Sequence, residues 1–437
     1  MTEINPIKNL NATVLVPGSK YIANRLLVIC ALADGISILK NVPDNEDINN
    51  SINALQQFGI KIEKNNGTLT IVGTGGKLKA PKNMINVGDS GTLLRFIAGF
   101  AALVAGKTTI TGSKRIQERP ISELLKSLSD LGIKCKSTDS HTPITIRGGN
   151  LKGGKTGING SVSSQFISSL LMIAPFAKNN VEIDIGGKLV SSEYVDLTIS
   201  LMKEFGVKVE RKRNQFKVNS NQKYNPGNFT IPADWASANY FLAAAAIVPG
   251  KIMIGNLDFN LKQPESGFFR LLEKMGCKVS ISANSIKIIG NNKLKSIDAD
   301  MSSMPDSAQT LAAIALFADG KTRIKNIGNL KFKESDRISD TASELRKLGA
   351  NVKVKNDELI ITKSQLKPAI IDSHNDHRMA MSFAIAGLKI PGIKINNPEC
   401  VNKSFPEFFD KLKSMWSQSS QSKNIVLIGY RGAGKTS

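Results

Sequence analysis

Arginine is scarce in this chain: 13 of its 58 basic residues are Arg and the other 45 are Lys. Five of the 13, namely Arg25, Arg95, Arg119, Arg337 and Arg378, nevertheless fall in a few short polar stretches, and Lys20, Lys333 and Lys403 stand among them. A guanidinium grips carboxylate or phosphate bidentately, so scarce arginines gathered in this way point to an anionic ligand. The stretches are PGSKYIANR, VGDSGTLLR, ERPISELL, KESDRIS, HNDHRMAM and KSFPEFF, and each reads as a helix start. Helix N-termini add free N–H groups and the positive end of the dipole. The combination suits a ligand, or two, with several anionic groups. Asp306 and Glu334 stand among these cations, either as structural ion pairs or as acid/base groups at an anion-rich centre. His141, His374 and His377 have no metal-ligand spacing, so no metal site is expected, and no Ser/His/Asp arrangement or nucleophilic cysteine signature is present.

The elements that must position these residues form a repeat. Six candidate helix caps, Ser19, Ser90, Ser163, Asp234, Asp306 and Asp376, are separated by 71, 73, 71, 72 and 70 residues. Their side chains are of the types that accept a bond from an orphan helix N–H. A second set of helix starts, at Arg119, Ser191, Glu334 and Ser404, keeps the same period or twice it. Five helical segments end in Gly59, Gly132, Gly206, Gly276 and Gly349, each followed by an apolar, Lys-bearing run. Glycine there takes the left-handed conformation that other residues resist. The chain therefore reads as six units of about 71 residues, each helix, strand, helix, strand, strand, which argues for an α/β fold. Two globules of three units are expected over one ring of six, because a single core rarely grows beyond about 250–300 residues. Equivalent helix ends of the two globules would then meet in the cleft between them.

Composition narrows the class further. With 437 residues, 41% hydrophobic and 22% charged, the chain is globular rather than disordered or fibrous. No apolar run reaches the ~18 residues of a membrane span, and no signal peptide is read at the N-terminus. The four cysteines fit neither a disulfide framework nor zinc spacing, so a reduced, cytoplasmic chain is expected. The net charge of +22 is carried by lysines scattered through every segment. A nucleic-acid partner would call for a clustered stripe with interleaved aromatics, and aromatics are only 6% here. The charge reads as solvated surface, with a remainder that steers anions into a cleft.

PGSKxxxNR, GSxGTxxR, RxxERP, GSVSSQF, LVSxxYVD, MPDSAQT, KESDR, NDHRMAM and KSFPEFF, in this order, resemble the 5-enolpyruvylshikimate-3-phosphate synthase family over roughly residues 7–416. The resemblance implies two globular domains of three βαβαββ units each, the inside-out α/β barrel of enolpyruvyl transferases. It places 1–18 with 234–416 in one domain and 19–233 in the other, with the two crossings acting as hinges. The implied reaction moves the enolpyruvyl group of phosphoenolpyruvate to the 5-hydroxyl of shikimate 3-phosphate by addition–elimination, releasing phosphate on the route to chorismate and aromatic amino acids. No metal or organic cofactor is implied. The expected partners are these two small anions, without nucleic acid or membrane, and the chain is expected to be monomeric. Carried over residue by residue, the shikimate-phosphate contacts are Lys20, Arg25, Ser163, Ser164, Gln165, Ser191, Tyr194, Asp306, Asn329 and Lys333. The phosphoenolpyruvate contacts are Lys20, Gly91, Arg119, Gln165, Arg337, Arg378 and Lys403. Asp306 would take the 5-hydroxyl proton, and either Lys20 or Glu334 would protonate the vinyl carbon.

Three residues depart from the family pattern. Tyr21 stands where the family usually has a Ser or Thr that helps hold the shikimate carboxylate and is left off the expected site, Asp89 replaces a common Asn beside the phosphoenolpyruvate phosphate, and Phe96 replaces a Pro. Residues 417–423 read as a polar linker. Residues 424–437, NIVLIGYRGAGKTS, carry a Walker A pattern at Gly429, Gly434, Lys435 and Thr436, and resemble the opening of shikimate kinase, as if this were a segment of a bifunctional polypeptide cut inside its kinase domain. Two alternatives compete. A UDP-N-acetylglucosamine enolpyruvyl transferase would share the fold but normally carries a reactive Cys near RxxERP, and TGSKRIQERP has none. A P-loop nucleotide-binding protein would leave the phased cationic stretches unexplained.

Overall fold

The computed structural model describes residues 1–291 and 293–421. Most strands fall into small sheets that repeat one topology. In one of them the order is Ile85–Asn86, Gly106–Thr111, His141–Gly148, Lys134–Thr138, with the first pair parallel and the others antiparallel. Helix Gly91–Ala101 joins the first two strands and helix Ser122–Asp130 precedes the hairpin, which makes a βαβαββ unit. The sheets built on Gly154–Asn159 and on Asp298–Asp300 repeat this order.

The remaining units borrow strands. Leu10–Val14 pairs in parallel with Gly250–Ile254, far along the chain, rather than with the nearby Asp34–Lys40. Asp34–Lys40 instead takes Asn228–Thr230 as its parallel neighbour. In the sixth unit Ile370–Asp372 and Lys394–Asn396 are parallel, and Thr2–Glu3 supplies the antiparallel strand where the other units have a hairpin.

The buried apolar residues form two separate cores. One runs from Ile4 to Val16 and from Ala233 to Met415, and the other from Ile22 to Ile231. At the centre of each lie the first helices of its units, with the sheets outside. Helix Trp235–Ile247 is buried at every position and packs against helices Ala308–Ala315 and His377–Gly387. A helix apolar all round belongs in a core, and the alanines of WASANYFLAAAAI let its neighbours approach closely. Because these helices are sheathed along their length, only their ends reach the surface.

The two chain crossings lie side by side. Gly18 and Ala233 form an antiparallel bridge, Ser19 N donates to Pro232 O and Asp234 N to Pro17 O, each at 2.8 Å. A side chain at Gly18 is excluded, since a Cβ would lie 2.0 Å from Asn41 O.

The linker expected at 417–423 is corrected over its described part. Helix Phe408–Gln421 continues through residues 417–421. Its polar side chains serve the edge strand Leu10–Val14: Asn11 N donates to Ser419 Oγ at 3.1 Å and Thr13 N to Gln418 Oε1 at 2.9 Å. An outer strand edge leaves such N–H groups unpaired unless something covers it. The Walker A stretch lies outside the described residues. Among those residues no helix is long and apolar enough to cross a membrane.

Candidate active site

Four of the six expected caps accept a backbone N–H at the start of a central helix. Ser90 accepts from Leu93, Ser163 from Gln165, Asp234 from Ser237 and Asp376 from Arg378. Ser19 and Asp306 do not cap, and here the expectation is corrected. Ser19 Oγ donates to Asp234 across the crossing. Asp306 lies in a short 3-10 turn, Pro305–Ser307, which turns its carboxylate outward. There it accepts from Arg337 Nη1 at 3.0 Å, from Arg378 Nη2 at 3.1 Å and from the Tyr21 hydroxyl.

Two narrow adjoining cavities open at these helix ends, of about 40 and 30 Å³. Arg25, Ser163, Ser164, Ser191, Tyr194 and Asn329 line only the larger. Lys20, Gly91, Glu334, Arg337, Arg378 and Lys403 line only the smaller. Tyr21, Thr92, Arg119, Gln165, Asp306 and Lys333 line both. Every residue expected at the site from the family motifs thus stands on one or both walls. A Cβ at position 91 would lie 2.4 Å from the guanidinium ends of Arg119 and Arg95, so any larger residue would push those two side chains aside.

Cations are neutralised in part by buried acids contributed from both globules. Asp47 accepts from Lys20 Nζ at 2.9 Å and from Lys403 Nζ at 2.7 Å. Burial disfavours its charge, yet the two ammonium groups win and hold its carboxyl at about 2. Glu334 accepts from Arg337 Nη2 at 2.8 Å and lies 3.8 Å from both Arg119 and Lys403. Against the cost of burial, these cations keep it well below the usual carboxylate range. Asp306 is held down in the same way, with burial opposed by Arg378, Lys333, Arg337 and the Tyr21 hydrogen bond. Arg337 is fixed from behind by Asp376, whose Oδ2 lies 2.6 Å from Nε. Arg25 spends its donors on Thr198 Oγ1 and on the Tyr21 and Tyr194 carbonyls, and burial brings its pKa down to about 10.

Several wall residues were missed in the sequence. Tyr21, left off the expected site, places its hydroxyl on both Asp306 and Arg378. Arg95 was noted only as a member of a cationic stretch; it lines the larger cavity, with Nη1 on Gly91 O at 2.8 Å. His377 lines the smaller one, and neither of its ring nitrogens has a hydrogen-bond partner among the described residues. Asp47, on the smaller wall, and Glu265, buried behind the walls, had a findable signal. One period before Arg119 falls Asp47, and one period after Ser191 falls the QPES stretch that contains Glu265. Asp89, by contrast, does not face the smaller cavity. Its carboxylate accepts from Ser113 Oγ while its carbonyl accepts from Lys403 Nζ. Phe96 is buried in the core beneath the Arg25 guanidinium, 5.4 Å away.

Known proteins share this architecture and much of this sequence. A family model described as EPSP synthase (3-phosphoshikimate 1-carboxyvinyltransferase) matches residues 4–412. A 3-phosphoshikimate 1-carboxyvinyltransferase of Tolumonas auensis is 42% identical over 421 residues, covering 94% of this chain and 98% of that protein. One from Buchnera aphidicola subsp. Schizaphis graminum is 40% identical over 417 residues, covering 93% and 97%. The solved EPSP synthase of Acinetobacter baumannii superimposes with a TM-score of 0.79 at 26% identity, over 94% of this chain and 97% of that one. With a match that spans nearly all of both globules, the chain belongs to the EPSP synthase (3-phosphoshikimate 1-carboxyvinyltransferase) family.

Proposed function

We propose that the chain transfers the enolpyruvyl group of phosphoenolpyruvate to the 5-hydroxyl of shikimate 3-phosphate and releases inorganic phosphate. The observation that carries this reading is the pair of adjoining cation-lined cavities that share Asp306, Lys333 and Gln165. Two polyanions bound on either side would meet at one carboxylate. Shikimate 3-phosphate takes the larger cavity, with Arg25, Ser163, Ser164, Ser191, Tyr194 and Asn329. Phosphoenolpyruvate takes the smaller, with Lys20, Gly91, Arg119, Arg337, Arg378 and Lys403. Family membership supports the same assignment.

In the addition step a proton joins the vinyl CH2 carbon while the 5-oxygen bonds to the adjacent carbon, giving a tetrahedral ketal. In the elimination the bond to phosphate breaks as a proton leaves the new methyl group. Asp306 takes the 5-hydroxyl proton. Surrounded by Arg337, Arg378, Lys333 and Tyr21 it is a weak base. A phosphoenolpyruvate carboxylate drawing on Arg337 and Arg378 would share those donors and strengthen it, so that the base is ready only when both substrates are bound. Glu334, kept ionised by its cations, suits removal of the methyl proton. Lys20, with protons to give and anchored on Asp47, suits delivery to the vinyl carbon. The four cysteines, free and far apart, support a reduced cytoplasmic location. The Walker A motif supports a shikimate-kinase-like start over residues 424–437.

The test is phosphate release from phosphoenolpyruvate with shikimate 3-phosphate, compared with phosphoenolpyruvate and UDP-N-acetylglucosamine. Release only with the second acceptor would replace this reading by the rival transferase.

A further inference from the structure

Glu265 is 1% exposed, sits in the short turn Pro264–Gly267, and belongs to no cavity wall described above. Its two oxygens are used by groups from the two sides of the cleft. The Tyr194 hydroxyl, from the globule of residues 19–233, donates to Oε1 at 3.1 Å. The Ser307 hydroxyl, one residue from Asp306, donates to Oε2. Asn239 Nδ2 braces the same point, donating to the Glu265 carbonyl and to Ser307 Oγ, both at 2.9 Å. Burial and the nearby Asp306 carboxylate push the Glu265 carboxyl up to about 7, so this position is costly to charge and is not a casual surface acid. No cation pairs with it in an ion pair among the described residues. A buried carboxyl group without a cation partner, whose two oxygens are each hydrogen-bonded to a hydroxyl from a separate body, acts as a fastener.

We infer that Glu265 is a positioning residue for the shikimate 3-phosphate half of the site: it locks the Tyr194 ring and the Asp306 turn into one frame across the cleft. The inference rests on the proposed function. Tyr194 faces the larger cavity and Asp306 lies between the two, while no residue that lines only the smaller cavity is hydrogen-bonded to Glu265 among the described residues. Loss of the fastener should therefore be felt by one substrate and not the other. It should also vanish when Tyr194 has already lost its hydroxyl.

The experiment compares wild type with Glu265→Ala, Glu265→Gln, Tyr194→Phe and the Glu265→Gln/Tyr194→Phe double variant, each checked by melting. Wild-type turnover with shikimate 3-phosphate tests the proposed function on its own. For the variants we expect kcat/KM for shikimate 3-phosphate to fall about tenfold or more, with KM for phosphoenolpyruvate within about twofold of wild type. The double variant should be no worse than the poorer single variant. An independent readout is 19F NMR of protein carrying 3-fluorotyrosine, in which the Tyr194 signal, assigned by its absence in Tyr194→Phe, should shift in Glu265→Gln. Folded variants with unchanged kcat/KM, a loss confined to phosphoenolpyruvate, additive effects in the double variant, or an unmoved Tyr194 signal would each overturn the inference. If Glu265→Ala does not fold, the isosteric Gln variant decides the matter.

Discussion

Lys403 and Asp47 meet across the boundary between the two globules, Nζ to Oδ1 at 2.7 Å, while the other oxygen of the same carboxylate holds Lys20 at 2.9 Å. One acid thus sets the spacing of two ammonium groups that come from different bodies. Asp47→Asn would leave both lysines partly unpaired. We expect KM for phosphoenolpyruvate to rise at least about tenfold, with a smaller effect on shikimate 3-phosphate, as steady-state kinetics would measure. The acid stability should change as well. Folding holds this carboxyl at about 2 against an ordinary 3.8. Its contribution, about 2 kcal/mol, is complete above the unfolded value and is lost as pH falls towards 2. Denaturant titrations of wild type and Asp47→Asn should therefore converge below pH 3.

Asp306 is the proposed base. Asp306→Asn keeps the shape of the side chain but cannot take the 5-hydroxyl proton. We expect kcat to drop about 10²–10⁴-fold while both substrates still bind, as judged by equilibrium titration. Near wild-type turnover in a folded variant would remove Asp306 from this role.

Tyr21 occupies ground that substrate needs. Its hydroxyl sits on Arg378 and on Asp306, so a phosphoenolpyruvate carboxylate bound as proposed would have to displace it. From the sequence this residue seemed to concern the shikimate 3-phosphate side; its place on Arg378 transfers the effect to phosphoenolpyruvate. Tyr21→Phe should lower KM for phosphoenolpyruvate by about 3–10-fold. A higher KM would mean that the phenol assists binding.

Glu265 gives a pH dependence of opposite sign to Asp47. The folded protein retains its proton up to about 7, whereas the free side chain releases it near 4.5. The resulting stabilisation, roughly 3 kcal/mol, is present below the unfolded value and is lost as pH rises to 7. Glu265→Gln should show a flatter stability curve than wild type between pH 4.5 and 7. Parallel curves would show that the carboxylate is charged throughout.

The repeat made most of the architecture legible, because a 71-residue period is visible wherever equivalent helices start and stop. Arg119, Ser191, Glu334 and the Ser404 stretch came from that period together with the family motifs. Asp47 and Glu265 share the period but not the residue type, and a search for cations passes over acids. Asp306 reads as a helix cap in sequence, yet a preceding Pro305 tightens the backbone into a 3-10 turn and aims the carboxylate elsewhere. Residues 417–421 read as linker because Ser and Gln are common in linkers. Their helix is stabilised by an edge strand some 400 positions away, with |i−j| of 408 for Asn11 and Ser419, and no local pattern reports that. Tyr21 was judged by what its position usually holds, and only three-dimensional placement brings a phenol to Arg378.

The strand Leu10–Val14 has a consequence for how the protein is made. It leaves the ribosome well before its partner Gly250–Ile254 and its covering helix Phe408–Gln421, which lie far downstream in the chain. At about 5–20 residues per second the wait exceeds ten seconds. During that interval the globule of residues 19–233 can complete its core from contiguous chain, whereas the other cannot begin to close. Until then the nascent protein carries Leu10–Val14 unpaired, a natural target for a holding chaperone and a point at which stalled translation would favour aggregation.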